Sequence, residues 1–299
     1  MWKHPFGQDF SISPREQAGI STHCSSNTVR KDFFTGFQSR LTKLTSYSRE
    51  HSSCLRIIFL FSGQRTRDID FLAKRILNDP EAIREIIERV ATIEGYDGIS
   101  FSKANIRVER IMEGTAYEGI RVKIQAKLRE ARKVIQLDIA YGDVVSGAPV
   151  EMAFPVLLED QPVPRLRVYS KESSVAEKFE SLVKLNILTS RMKDLYDILF
   201  MASQCSFDMH SLHNPILSTF RHRMTSLKNI TVLFDKEFTA SREKQFQWSA
   251  FLKRSRLESF PSFSEAMEHL RSFIESVCSP GSGPQEDKKT WRPHEWKWE

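Results

Sequence analysis

Asp68 and Asp70 stand either side of Ile69 in Arg65-Thr66-Arg67-Asp68-Ile69-Asp70-Phe71-Leu72. Alternation marks this run as a strand, and residues i and i+2 of a strand project from one face. Both carboxylates then point to one place while Ile69 enters the core. Two carboxylates held close repel each other unless a cation or a shared proton intervenes. Oxygen ligands suit a hard divalent cation, and Mg²⁺ is its usual form beside phosphates. Chance also places D-x-D on surface strands, so a third acid matters. In Val134-Ile135-Gln136-Leu137-Asp138-Ile139-Ala140, Ile135, Leu137 and Ile139 share one face, and Asp138 lies on the other, in mid-strand. A lone charge among apolar neighbours is costly, so Asp138 calls for a cation or an adjacent strand end. Three strand carboxylates at one sheet edge are the frame of two-metal phosphoryl transfer. Asp143, following Gly142, reads as a turn former.

Two helical segments add cations and a further acid. Over 173–188, Val175, Phe179, Leu182 and Val183 form an apolar stripe, and Lys178 borders it. From that border its ammonium either reaches a phosphate as a point charge or snorkels to solvent. The next helix opens Arg191-Met192-Lys193-Asp194. Asp194, Ile198 and Met201 follow i, i+4, i+7, which puts Asp194 beside the inward face. It is equally a first-turn acid favoured by the helix dipole, and the pattern alone leaves both readings open.

The elements that position these groups follow in a simple order. After the D-x-D strand, Asp79-Pro80-Glu81 starts a helix, with Asp as N-cap and Pro in the first turn. Ile83, Ile86, Ile87, Val90 and Ala91 recur on its apolar face. Three Ile/Val-rich strands come next, at 105–111, 119–128 and 133–141. Helical periodicity then runs through 173–188, 192–204, 209–223, 240–254 and 263–278. The fold class is therefore α+β, a small sheet domain followed by a helical domain. The segments are an atypical Ser/Thr-rich basic stretch (1–63), a sheet domain (64–165), a helical domain (166–278) and a tail (279–299) read as disordered from its Pro, Gly and dense charge.

Composition excludes several classes of protein. The 299 residues, 40% hydrophobic and 27% charged, are globular in character. Mean hydropathy is -0.39, and the longest apolar run, Ile57 to Phe61, is far too short for a bilayer. The reading is a soluble, cytoplasmic chain without a membrane partner. Four dispersed cysteines and eight histidines without metal-ligand spacing argue against a zinc site. Ten basic and four acidic residues precede Asp68, so the whole net charge of +6 sits there and the remaining 34 basic and 34 acidic residues cancel. Such a basic arm suits contact with nucleic acid, and equally a solvated polar segment.

At these residues the chain resembles the AbiEii/AbiGii-type toxin nucleotidyltransferases. The resemblance runs through Arg65 to Leu72, Glu94-Gly95-Tyr96-Asp97-Gly98, Tyr117 to Val122 and Gln136 to Asp143, then Ala176 to Phe179 and Ser190 to Asp197. It covers about 64–278, and the order and spacing of the blocks make it specific. It implies a polymerase-β-like nucleotidyltransferase sheet domain followed by a C-terminal helical domain. The implied activity is transfer of a nucleotide from an NTP onto an acceptor, such as an RNA (tRNA) 3′ end, with Mg²⁺ or Mn²⁺ as cofactor. The implied setting is a toxin paired with a cognate antitoxin in abortive phage infection. Carried over residue by residue, Asp68 and Asp70 are metal ligands and Asp138 is the third acid, activating the attacking hydroxyl. Lys178 and Arg191 bind substrate, Lys178 at the triphosphate, and Asp194 is an essential acid of the helical domain.

The family also has a Gly-Gly-Ser/Thr or Gly-Ser turn shortly before the D-x-D strand, whose backbone N–H groups hold the triphosphate. Here that stretch reads Ser53-Cys54-Leu55-Arg56-Ile57-Ile58-Phe59-Leu60-Phe61-Ser62-Gly63 and contains no such turn. The unpatterned segment before residue 64 suggests a frameshifted or replaced leader. Two functions follow: an active nucleotidyltransferase, or an inactive remnant retained as a binding protein. An RNA-binding module without chemistry ranks below both, for want of an aromatic stacking motif.

Overall fold

The structure, a computed structural model, describes residues 36–37, 39–40, 69–73, 76–95, 97–111, 118–142, 150–153, 163, 165–185, 190–257, 260–279 and 289–299. The sheet domain comprises β1 (Ile69–Leu72), α1 (Pro80–Thr92), β2 (Ile99–Ile111), β3 (Gly119–Leu128) and β4 (Ala131–Ala140). Strand order is β1-β4-β3-β2. β1 runs parallel to β4, and the other two pairings are antiparallel. α1 starts as expected, with the Asp79 carboxylate accepting from the Ala82 N–H at 2.9 Å.

Alternation decides the two faces of the sheet. Ile120, Val122, Ile124 and Ala126 of β3 are buried with Ile135, Leu137 and Ile139 of β4 and with Ile83, Ile87 and Val90 of α1. The intervening side chains, Arg121, Lys123, Gln125, Gln136 and Asp138, lie on the opposite, more exposed face. Among the described residues, α1 thus covers one face while the polar face stays partly exposed.

The loop from α1 to β2 is tied down by Arg40. Its Nη1 and Nη2 donate to the two Asp97 carboxylate oxygens at 2.6 and 2.8 Å. Its remaining donors reach the carbonyls of Ile93 (2.7 Å), Gly36 (2.9 Å) and Ile99 (2.7 Å). Five bonds thereby match the five N–H groups of a guanidinium. Phe37 is fully buried beside Phe101, and a Cβ on Gly95 would lie 2.5 Å from the Arg40 guanidinium. Residues assigned from sequence to an atypical arm or foreign leader thus supply two interior side chains to the sheet domain. Long-range packing of this kind leaves no local periodicity to read.

A two-stranded ribbon not anticipated from sequence, β5 (Val150–Ala153) with β6 (Arg165–Val168), leads into the helices. These are α2 (Lys171–Leu185), α3 (Met192–Gln204), α4 (Met209–His222), the short α5 (Ile230–Leu233) and α6 (Lys236–Thr239), α7 (Arg242–Ser255) and α8 (Phe263–Cys278). Their core holds Phe179, Leu199, Phe220, Trp248, Leu270 and Phe273. A capping box between Ser262 and Glu265 starts α8.

The tail departs from the expected disorder. Residues 289–299 form a hairpin, β7 (Trp291–Arg292) with β8 (Lys297–Trp298), docked on the helical core. Trp291 is fully buried and its Nε1 donates to the Ala202 carbonyl at 2.7 Å. Trp298 donates to the Phe273 carbonyl at 3.0 Å, and Trp296 stacks on His269. The Pro/Gly-rich composition behind the expectation falls at 280–288, outside the described residues. The tryptophans beyond it combine large apolar area with an N–H that finds a partner.

Burial pushes the Asp97 carboxyl up, but the Arg40 hydrogen bonds and charge and the Ile99 N–H outweigh it and hold it below 3.8. Removing one partner of a buried pair strands the other, so Arg40→Ala should cost about 3 kcal/mol in urea unfolding. Asp97→Asn should be similarly costly near neutrality. Because a depressed carboxyl contributes stability above its unfolded value and loses it as pH falls, the gap between wild type and Asp97→Asn should narrow below pH 3.8. Trp291→Ala should cost about 4 kcal/mol in the same measurement.

Candidate active site

The parallel pairing of β1 with β4 sets Asp70 directly opposite Asp138 in register. They lie 68 positions apart in the chain, and the sheet makes them neighbours on adjacent strands. The Ala73 N–H extends the pairing to the Ala140 carbonyl at 2.9 Å. Of Asp70 the structure describes the backbone position, while Asp68, Asp143 and the stretch at 53–63 lie outside the described residues.

Asp138 has the cation that its mid-strand position demands. Arg121, its cross-strand partner on β3, grips both carboxylate oxygens through Nε at 2.8 Å and Nη2 at 2.7 Å. The Gln136 amide stands 3.4 Å from each oxygen. The pair is half-open to water, with Arg121 32% and Asp138 20% exposed. A bidentate guanidinium–carboxylate contact orients the acid as well as neutralising it. Sequence reasoning quoted Arg121 inside a motif without giving it a role. Its signal was an unbroken alternation in β3 that puts Arg121 on the face of Asp138.

Lys178 and Asp194 meet in the helical domain. The Lys178 ammonium, buried between α2 and α3, donates to Asp197 at 2.7 Å and to Asp194 at 3.3 Å. Lys193 also donates to Asp197, at 2.8 Å, and the Arg191 Nε donates to Asp194. Asp197 is fully buried, whereas the Arg191 side chain is 51% exposed. Burial pulls the Lys178 pKa down, but the charges and hydrogen bonds of Asp197 and Asp194 more than offset this and raise it. Lys178 is therefore a charged strut between two helices, and the solvent-facing cations of the group are Arg191 and Lys193. Asp197 escaped sequence analysis because it sits at i+3 from Asp194 inside a helix whose other inward positions are apolar.

Among the described residues, contacts with the helical domain and with the segment that leads into it touch the sheet. The His222 imidazole lies 3.0 Å from the carbonyl of Gly142, which follows β4 with φ +78°. Leu72 of β1 is buried against Tyr169. A cavity of about 620 Å³ between α7 and α8, lined by residues such as Trp248, Phe260 and Ser262, contains none of the candidate site residues. No helix among the described residues is long and apolar enough to cross a membrane.

A mixed sheet with acids on neighbouring parallel strands, α1 packed behind it and a helical domain after it, matches the fold that the resemblance implied. The particular family follows from the sequence match: the nucleotidyl transferase AbiEii toxin family of type IV toxin–antitoxin systems matches residues 54–269. The chain belongs to that family. Among solved structures it is similar to JHP933 from Helicobacter pylori, at 14% identity and TM-score 0.42, covering 85% of this chain and 93% of that one. A second H. pylori structure, of a candidate nucleotidyltransferase, is similar at 15% identity and TM-score 0.41, covering 85% and 96%. No curated protein matches the chain.

Lys178→Met should destabilise the chain by about 3 kcal/mol in denaturant unfolding, because Asp197 is left as a buried charge with less compensation. Adding Asp197→Asn to Lys178→Met should recover part of that loss, the signature of coupling in a double-mutant cycle.

Proposed function

We propose that this toxin-family chain transfers a nucleotide from an NTP to the 3′ hydroxyl of an RNA, such as a tRNA, in the cytoplasm. The observation that carries this reading is the β1–β4 register, which seats Asp70 beside Asp138. In the reaction the acceptor oxygen forms a bond to the α-phosphorus, the bond to the bridging oxygen breaks, and pyrophosphate leaves. Asp138 takes the proton of the attacking hydroxyl. Arg121 holds the carboxylate in one orientation until the acceptor arrives, then yields one oxygen to it.

Carboxylate oxygens on adjacent strands are donors that suit a hard cation, so the residues fit Mg²⁺ or Mn²⁺. Asp68, Asp70 and Asp138 would hold the ion, with Arg121 as competitor for the last. When bound, it neutralises charge developing on the phosphates. Arg191 is the exposed cation suited to the triphosphate. Lys178, which the resemblance also assigns to the triphosphate, would reach it by exchanging one carboxylate partner for phosphate. Asp194 orients both cations. A cognate antitoxin counters the activity, consistent with a type IV toxin–antitoxin family.

One observation favours a second reading, an inactive remnant: residues 53–63 contain no Gly-Gly-Ser/Thr turn for the triphosphate. Incubation with Mg²⁺, each labelled NTP and total tRNA separates the two. Label should pass to tRNA with the wild type and not with Asp68→Ala/Asp70→Ala. Arg191→Ala should raise the KM for NTP about tenfold while costing about 1 kcal/mol of stability, since the buried Asp194 loses Arg191 but keeps Lys178. A folded wild type that transfers no label from any NTP would establish the remnant.

A further inference from the structure

The open face of the sheet carries a pattern that the chemistry at Asp138 does not use. Arg107 of β2 stands directly opposite Lys123 of β3, and Lys127 of β3 directly opposite Arg132 of β4. Like charges facing each other across strands are destabilising. The Lys123 ammonium is relieved by Glu109 at 3.1 Å. Arg107, Lys127 and Arg132 are exposed, and among the described residues none has an ion-pair partner. Between the two cationic rows lie Gln125, Ser102 and the exposed Val134, with no aromatic side chain.

The rows are aligned with the reaction centre. Asp138 and Arg121 face each other in one row, Gln136, Lys123 and Arg107 form the next, and Arg132 and Lys127 lie four residues beyond. At the rise of a strand the two rows lie about 7 and 20 Å along the strand direction from Asp138. A chain that places opposed cations on its exposed sheet face, against their mutual repulsion, matches a partner with regularly spaced negative charge.

We infer that Arg107, Lys123, Lys127 and Arg132 form a track for the sugar–phosphate backbone of a single-stranded RNA acceptor whose 3′ end lies at Asp138. This rests on the RNA-acceptor reading above. The track reads backbone charge and not sequence, since it offers no stacking platform. Its binding is therefore strongly salt-dependent and tolerant of base composition.

Fluorescence anisotropy of the full chain with a labelled 20-nucleotide single-stranded RNA tests it, alongside NTP binding with a fluorescent analogue. Lys127→Glu/Arg132→Glu should weaken RNA binding about tenfold at 0.1 M salt and flatten the log–log salt slope by about 1.4, two phosphate contacts' worth. NTP affinity should not change. Single Lys127→Glu, which turns a repulsive cross-strand pair into an attractive one, should raise the thermal midpoint by about 2 °C while weakening RNA binding. That opposition of signs is not expected of a merely structural residue. Folded variants that keep wild-type RNA affinity and slope overturn the track and leave the RNA-acceptor reading intact. A wild type that binds NTP but no RNA, or prefers anionic vesicles to RNA, overturns both.

Discussion

The register between β1 and β4 is the constraint on which the site depends. Among the described residues, β1 has four residues and sits at the sheet edge, and its pairing with β4 sets its register there. Asp70 lies opposite Asp138 because Ile69 lies opposite Leu137 and Phe71 opposite Ile139. A slip by one residue would invert the faces of the strand, and burial of Phe71 and Leu72 opposes it. α1 packs behind the sheet, the Arg40 tether fixes the loop that enters β2, and Leu72 meets Tyr169 ahead of the helices. Each of these restrains the same short strand or the sheet it joins.

Three of the chain's carboxylate–cation contacts differ in burial, and burial separates their roles. Asp97 with Arg40 and Asp197 with Lys178 are enclosed, so removing either cation leaves a buried carboxylate with less compensation. Such pairs cost several kcal/mol to disrupt from one side and behave as fixed struts. Asp138 with Arg121 is partly open, and there water can replace either partner at a cost of about 1 kcal/mol or less. Exchange of partners during a reaction therefore costs least at this third pair. The same chemical contact therefore serves as fastening in two places and as a reversible hold in the third.

Much of this was legible in the sequence because it was written in local periodicity. The Asp79–Pro80 start of α1, the bounds of β3 and the span of α3 follow from capping residues and repeats of apolar side chains. The parity that separates Asp138 from Ile135, Leu137 and Ile139 also gave the need for a nearby cation. What could not be read was the identity of that cation, because Arg121 meets Asp138 only through strand pairing. Arg40, Asp197 and the Trp291 hairpin were hidden for the same reason: each is defined by a partner distant in sequence. The ribbon of β5 and β6, four residues a strand, is too short for alternation to announce it.

The central claim is that the acids of β1 and β4 act together on a hard cation beside the nucleotide. Titration of Mn²⁺ followed by electron paramagnetic resonance, with a non-hydrolysable NTP analogue present, addresses it directly. The account predicts that the wild type binds the ion and that Asp70→Asn and Asp138→Asn each weaken binding at least tenfold, with the fold retained. Mn²⁺ held equally tightly by the wild type and both variants would contradict it.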